Sequence, residues 1–367
     1  MLEVIVHPLP ELTAKIVDSP IPVPGPDEIL VKVEVAASNV KDWLHLTTRN
    51  LSFNSGDDMA GTVFGLGENV KEFEIGDRVA AFHPMFAPGG TYAEYAVAPR
   101  HTVFRIPEGV KFEEAATIPL VTTTAALSLF QIQGLPSPWS TPSIPLPPTP
   151  LIIYGASSSL GLFALKLARA SNIHPLIAIA GSSSSTILPL LTPSKGDILI
   201  DYRVGVEAMQ RAVRTALGEQ GLEARHAVDA ISADGSWVPI SQLLAPGGIL
   251  SVVSGANRYE EKEIPSGVQV KYTFVGAVHE GKYKEGMPCQ PSREVVEGMK
   301  AFAGELFKWM GGEEGALARG GFGGHPFLVV EGGLGGVREG LRMLKGGKAG
   351  GRKFVYRVRE TVGLNAQ

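Results

Sequence analysis

The 367-residue sequence has one cysteine, Cys289. An internal disulfide is therefore excluded, and so is a zinc site built from several thiolates. Cys289 lies in "EGMPCQPS", which reads as a loop thiol with no neighbour that would depress its pKa. Excess charge of one sign is also missing, since 33 Lys and Arg oppose 37 Asp and Glu for a formal net charge of −4. With no dense basic stripe, nucleic acid is not an expected partner. The longest apolar runs are strand-sized, short of the ~20 residues a membrane span needs. The start, "MLEVIVHPLPEL", lacks the basic n-region and long apolar core of a signal peptide. "LNAQ" at the other end is no retention or peroxisomal signal. The expectation is a soluble, cytoplasmic protein without a membrane partner.

Length alone favours two domains. The first 125 residues read as β-rich: "PDEILVKVEVAASNV" alternates apolar and polar residues like a half-buried strand. "MAGTVFGLGENVKEFEIGDRVAAF" reads as short strands broken at Gly61, Gly65, Gly67 and Gly76. Such a pattern fits a partly open barrel. Residues 134–150 hold seven prolines, which forbid a helix and favour an exposed, extended spacer over a docking peptide. From 151 onward strands ("LIIYG", "PLIAIAG", "HAVDAI", "GGILSVV", "YTFVGAV") alternate with helices ("SLGLFALKLARAS", "EAMQRAVRTALGE"). That alternation predicts a doubly wound parallel sheet. The tail adds the helices "SREVVEGMKAFAGELFKWM" and "GGVREGLRMLKGG" and a last strand "RKFVYRV".

The stretch "LIIYGASSSLGLFALKLARASN" runs from strand through a tight turn into a helix. Gly155, Ser158 and Gly161 stand where a dinucleotide-binding turn needs a tight bend, close approach to pyrophosphate and close helix–strand packing. Ser158 replaces the middle glycine, but its hydroxyl can donate to a phosphate oxygen. The helix N-terminus would face the anion. A serine-capped helix of any α/β protein is the plain alternative. About 20 residues past such a turn an acid usually holds the ribose of NAD. Here the chain reads "AIAGSSSST", with Ser182 and Ser183 and no carboxylate. Tyr202 and Arg203 follow the next strand, and Lys195 lies in the connection. NADPH is therefore favoured over NADH, with a serine-rich surface loop as the alternative.

"GDDMAGTV", "GDRVAAF", "GGTYAEYAV", "IPEGVKFEEAATIPLVTTTAAL" and "YGASSSLGLFALKLA", in that order, resemble the ordered markers of the medium-chain dehydrogenase/reductase superfamily over nearly the full chain. Within it the sequence resembles the zinc-independent quinone oxidoreductase and enoyl reductase branch. The proline-rich insert and "GGLGGVREGLRMLKGGKAGGRKFVYR" are similar to fungal members, including stand-alone enoyl reductases serving polyketide synthases. The resemblance implies an α/β chain with a GroES-like partly open β-barrel catalytic domain (1–125, completed by 290–367) and a Rossmann domain (126–289). Zinc-dependent members carry a cysteine where Asn39 stands in "SNVKDW" and a histidine where Asp57 stands in "SGDDMAG". The four-cysteine structural zinc loop is absent, so no metal is expected.

Without zinc, hydride transfer to a conjugated acceptor is easier than alcohol oxidation, because a few donors can stabilise charge on a carbonyl or quinone oxygen. The expected activity is NADPH-dependent reduction of a quinone or α,β-unsaturated carbonyl compound. The alternatives are an NADP-dependent alcohol dehydrogenase and a non-catalytic NADPH-binding partner of a synthase. By resemblance, Asn39 lies near the nicotinamide and Thr124 beside the cofactor. Ser157, Ser158 and Leu160 line the pyrophosphate turn, and Ser182, Ser183 and Tyr202 the 2′-phosphate pocket. Ile231, Ser232 and Val253 sit where strand ends flank the cofactor. Asn39 as a turn cap, Thr124 as a helix donor and Tyr202 as a surface aromatic are the alternatives. Trp43, Phe53, Met85, Phe86 and Tyr92 suggest an apolar acceptor pocket, or core. The resemblance leaves both a homodimer, paired through "VQVKYTFVGAV", and a monomer open, and no proton donor is identifiable.

Overall fold

The computed structural model describes residues 1–140, 147–233, 235–253, 261–279 and 293–363; Cys289 and the centre of the proline-rich segment lie outside them. The chain divides into two units, Met1–Leu120 with Gly276–Gln367, and Val121–Val275. The sequence reading placed these divisions at 125/126 and 289/290.

Unit 1 opens with an antiparallel hairpin of β1 (Leu2–His7) and β2 (Thr13–Asp18). It continues through β3 (Glu28–Ala37), α1 (Lys41–Arg49), β4 (Asp58–Leu66) and β5 (Arg78–Phe82). Then come β6 (Tyr95–Pro99), β7 (Val103–Arg105) and α2 (Phe112–Ala115). Helix α3 (Pro119–Ala126) begins at the division and runs on as a π-helical stretch, Leu127–Ile132. The helical segment Phe112–Ile132 is long and apolar enough to span a membrane by composition, and its apolar window is 83% buried inside the protein.

Unit 2 contains β8 (Leu151–Tyr154), α4 (Ser159–Ala170), β9 (Leu176–Ala180), β10 (Ile198–Asp201) and α5 (Val206–Glu219). It ends with β11 (His226–Asp229), α6 (Trp237–Ser241), β12 (Ile249–Val252) and β13 (Gln269–Tyr272). The chain then returns to unit 1 with α7 (Arg293–Met310), β14 (Phe327–Val329), α8 (Val337–Lys345) and β15 (Lys353–Arg357).

The unit 2 sheet is parallel throughout, in the order β10-β9-β8-β11-β12-β13. Its central strands are apolar on both faces, as a sheet covered on both sides requires. The order reverses between β8 and β11, and a crevice opens outside the carboxyl ends of two strands whose connections leave in opposite directions. The expected strand "YTFVGAV" is displaced. Pairing ends at Tyr272, and Val275–Val278 forms a 3-10 turn instead. The strand precedes that segment because Val270 pairs in register with Leu250 of β12.

In unit 1 the main sheet runs β14-β15-β3-β4-β5-β7, with β6 also on β3. The C-terminal β15 lies antiparallel on β3, so the tail completes a sheet begun by the N-terminal residues. β3 is not the half-buried strand its alternation suggested. Partners on both sides leave seven of its ten residues buried. Nor do Gly61 and Gly65 break β4, which runs through both. Register shifts fall between Leu30 and Val31 and between Val33 and Val35, so the ladder bends by bulging. Gly61 permits this approach, since a Cβ there would lie 2.0 Å from the Lys32 carbonyl oxygen. The obstacle is paired backbone, which cannot rotate aside. Gly61→Ala is expected to cost about 1–3 kcal/mol, read as a lower urea midpoint at unchanged slope; an unaltered midpoint would contradict this packing.

Candidate active site

Tyr154 ends β8, and Gly155 turns the chain with φ +73°. A Cβ on Gly155 would lie 2.4 Å from Ile231 Cγ1, so two reasons require glycine there. The Ser158 amide donates to the Gly155 carbonyl at 2.9 Å, closing the turn. Ser158 then caps α4, its Oγ accepting from the Gly161 amide at 3.1 Å. Its hydroxyl hydrogen remains available to an incoming oxygen. Gly161 packs the helix against the turn, since a Cβ there would sit 2.3 Å from the Gly155 carbonyl oxygen. Ser157 is half-buried at the turn, whereas Leu160 is buried in the helix. Leu160 can therefore offer its backbone amide, not its side chain, to a ligand.

The neighbouring strand end carries the serine loop. Ser182 is exposed and Ser183 half-buried, directly after Gly181. Tyr202 leans over Gly181, where an added Cβ would come within 2.8 Å of its ring, and meets Tyr154 edge-on at 6.0 Å. These residues therefore form one cluster at the carboxyl edge of β8, β9 and β10. Lys195 is not part of it, because its Nζ donates to Asn172 at 2.6 Å beyond the far end of α4. Arg203 is held by Asp201 through two contacts of its Nε and one of its Nη2, 2.6 to 3.0 Å long. That pairing lowers the Asp201 carboxyl to about 2.

Ile231 and Ser232 follow β11 on the other side of the crevice. Ile231 is 45% exposed although apolar, and Ser232 holds φ +49°. The Ser232 Oγ accepts from the Val253 amide at 3.0 Å, tying the ends of β11 and β12 together. Thr124 is buried on α3, and its carbonyl accepts from the Ser128 hydroxyl at 2.9 Å.

Asn39 belongs to unit 1 and sits in a buried polar network. The Lys353 Nζ donates to Asp58 Oδ2 at 2.6 Å, to Asn39 Oδ1 at 3.0 Å and to the Thr117 carbonyl at 3.4 Å. Asn39 Nδ2 donates to the same Asp58 oxygen at 2.9 Å, and Asp58 Oδ1 accepts from the Leu120 amide at 2.8 Å. The Asn39 amide is thus locked in one orientation, with one N–H and one lone pair left over. Asp57, just before β4, meets a different cation. It contacts the Lys41 ammonium, which also meets Asp42 Oδ1 at 3.0 Å and donates to the Ser55 carbonyl at 2.8 Å. Asp42 Oδ2 accepts from the Tyr92 hydroxyl at 2.6 Å, and the Tyr92 oxygen in turn accepts from the Ser38 hydroxyl at 2.9 Å.

Two carboxylates around one ammonium leave a net negative charge in a buried place. Burial chiefly, with Asp42 adding to it, pushes the Asp57 carboxyl up to about 7 against the pull of Lys41. The Lys41 ammonium is itself held above its ordinary range by Asp42 and Asp57, which outweigh its burial. Burial, with Lys41 and Arg49 nearby, lowers His45 to about 4, so its imidazole stays neutral at physiological pH.

Lys41 and Lys353 are the residues that sequence reasoning missed. "SNVKDW" displayed Lys41 beside Asn39, and an adjacent Lys–Asp pair in that segment was the available signal. The structure also decides between pocket and core for the apolar candidates. Tyr92 is core, its ring fully buried and its hydroxyl committed to Asp42. Met85 is buried, while Trp43, Phe53 and Phe86 pack partly exposed against the unit 1 core. The rings of His83 meet the Val97 and Ala87 carbonyls, and His279 is buried against Phe82 and His101. Among the described residues no group of three or more His, Cys, Asp or Glu is arranged to hold a metal ion. A cavity of about 840 Å³ between β7 and α7, floored by Phe73, Phe104 and Phe307, includes none of the expected site residues.

A parallel sheet with a glycine turn at its switch point, joined to a mixed sheet closed by the C-terminal strand, defines an oxidoreductase of the medium-chain dehydrogenase/reductase type. Residues 25–108 match the alcohol dehydrogenase GroES-like domain. The trans-enoyl reductase fsr4 of Gibberella fujikuroi is 42% identical over 297 residues, 79% of this chain and 86% of that protein. The enoyl reductase component lovC of the lovastatin nonaketide synthase of Aspergillus terreus is 26% identical over 93% of this chain and 92% of its own. Among solved structures, the Pseudomonas syringae quinone oxidoreductase superposes with a TM-score of 0.68 at 20% identity, covering 97% of this chain and 99% of its own. The chain belongs to the trans-enoyl reductase family of this superfamily, and it is a reductase.

Two outcomes are expected from the unit 1 network. Lys353→Met leaves Asp58 buried without a counter-charge and should cost about 3–5 kcal/mol in denaturant titration; a loss under 1 kcal/mol would mean that the pair is dispensable. The Asp57 carboxyl is raised from 3.8 to about 7 on folding, so the folded state binds the extra proton. Its contribution should therefore weaken stability as pH rises from about 4 to about 7 and then level off. Asp57→Asn should remove that slope from the pH dependence of the urea midpoint.

Proposed function

We propose that the protein is an NADPH-dependent, zinc-independent reductase of α,β-unsaturated carbonyl compounds, foremost enoyl thioesters, with quinones as a second acceptor class. The observation that carries the cofactor reading is the turn at the switch point of the parallel sheet, where Gly155 at φ +73° and the close packing of Gly161 on the Gly155 carbonyl set the serine-capped N-terminus of α4 at the carboxyl end of β8. Ser157, the Ser158 hydroxyl and the first amides of α4 would hold the pyrophosphate. Ser182, Ser183 and Tyr202 would take the 2′-phosphate, since the serine loop offers donors and no carboxylate. Ile231, Ser232 and Val253 would flank the nicotinamide half, with Thr124 supplying a polar contact. Bound there, NADPH supplies a hydride.

Unit 1 carries groups suited to the remaining chemistry. Hydride addition to the β-carbon leaves negative charge on the acceptor's oxygen and α-carbon. The Lys41 ammonium, 14% exposed, would stabilise that charge and give up a proton. The Lys41 N–H bond breaks, the α-carbon C–H bond forms, and protonated Asp57, in contact with Lys41, returns a proton to the amine. By the resemblance, Asn39 and Asp57 stand where zinc-dependent members carry a thiol and an imidazole, which supports a reaction without a Lewis acid. The name of lovC, the enoyl reductase component of a nonaketide synthase, favours an acceptor carried on a synthase of that kind.

The test is NADPH consumption by the purified protein with enoyl thioesters, enones, enals and quinones. Reduction of an enoyl thioester is expected, with kcat/KM at least about tenfold higher for NADPH than NADH. Lys41→Met should lower kcat by about 10²- to 10⁴-fold while NADPH affinity holds. In the wild type kcat should fall as pH rises through about 7, where Asp57 loses its proton, and Asp57→Asn should abolish that limb. Stoichiometric zinc, or turnover of an alcohol with NADP⁺ in place of enoyl reduction, would overturn the proposal.

A further inference from the structure

Asp229 has no place in the chemistry above, yet it is fully buried at the carboxyl end of β11, beside the crevice. Its Oδ1 accepts from the amides of Ile231 at 3.0 Å and Ser232 at 2.8 Å. Its Oδ2 accepts from the Ser236 hydroxyl at 2.5 Å, at the start of α6. Its carbonyl accepts from the Ser232 hydroxyl at 3.0 Å, and that hydroxyl oxygen receives the Val253 amide at 3.0 Å. One carboxylate thus fixes both backbone amides of a loop whose Ser232 adopts a left-handed conformation, which costs a non-glycine residue about 1–3 kcal/mol unless its surroundings hold it. The loop's exposed side chain, Ile231, is the one that approaches Gly155.

We infer that Asp229 is a positioning residue for the dinucleotide, setting the Ile231–Ser232 wall of the crevice at a fixed distance from the phosphate turn. This rests on the reading of unit 2 as an NADPH site. Preorganised walls bind more tightly because the ordering cost is met before the ligand arrives. Asp229 touches no ligand in this scheme. It acts through two amides and one hydroxyl.

The same sheet supplies a matched control. Asp197 is buried just before β10, at the amino edge, and likewise accepts from two amides and one side chain. Its donors are Leu176 N at 2.8 Å, Thr192 N at 2.8 Å and His174 Nδ1 at 2.7 Å. Both carboxylates secure loops, but only Asp229 secures one at the carboxyl edge.

NADPH binding to the full chain is measured by nucleotide fluorescence without any acceptor, alongside KM values for NADPH and for the acceptor. Asp229→Ala should weaken NADPH binding by about tenfold or more and raise KM for NADPH, leaving KM for the acceptor within about twofold. Asp229→Asn keeps an acceptor oxygen for the two amides and should recover affinity to within about threefold of wild type. Asp197→Ala should lower the melting temperature yet leave NADPH affinity within about twofold. Should Asp229→Ala not fold, Ser236→Ala carries the test, with an affinity loss of about threefold expected. Equal losses in the Asp229 and Asp197 variants, or unchanged affinity in the Asp229 and Ser236 variants, would overturn the inference. A wild-type protein that does not bind NADPH would instead overturn the cofactor reading, and the inference with it.

Discussion

The Lys353–Asp58 ion pair is the interaction on which unit 1 depends. It joins residues 295 positions apart, one on the last strand and one at the start of β4, with both side chains almost wholly excluded from water. A charge so placed is tolerable only when paired and hydrogen-bonded, and here every Lys353 donor has an acceptor. The pair also immobilises Asn39 and, through Asp58 Oδ1, the first turn of α3. Closure of the sheet by the tail and orientation of a candidate site residue are therefore one event.

A second network, around Lys41, lies on the opposite side of the Asp57–Asp58 step. Adjacent carboxylates serve different cations, Asp58 at the first position of β4 and Asp57 just before it. The Lys353 cluster is closed and saturated, which suits a structural part. The Lys41 cluster carries an excess carboxylate and a proton affinity near neutrality, which suits proton transfer.

In unit 2 backbone placement dominates. Gly155 and Gly161 are required by backbone and side-chain atoms at distances no Cβ could occupy, and the serine at 158 serves the helix as a cap. The turn was legible from the sequence because its parts lie within seven residues, and local geometry dictates residue type there. The alternation of strands and helices was legible for the same reason. Gly61 and Gly65 misled, since a glycine admitted by a neighbouring strand's bulge looks in sequence like one that ends a strand. Lys195 misled too: its distance along the chain suited a phosphate contact, but the connection carries it to the far end of α4.

The residues alone determined the class of sheet, the glycine turn that leads into α4, and the serine loop without a carboxylate. Each of these is a statement about neighbours in the chain, where spacing and side-chain chemistry suffice. Tertiary structure decided which charges meet: Lys353 with Asp58, Lys41 with Asp57, Asp229 with the loop beyond it, and Tyr92 with Asp42 in the core. The cost of burying a charge is settled by partners brought together in folding, and periodicity and composition carry no record of which distant residues those are.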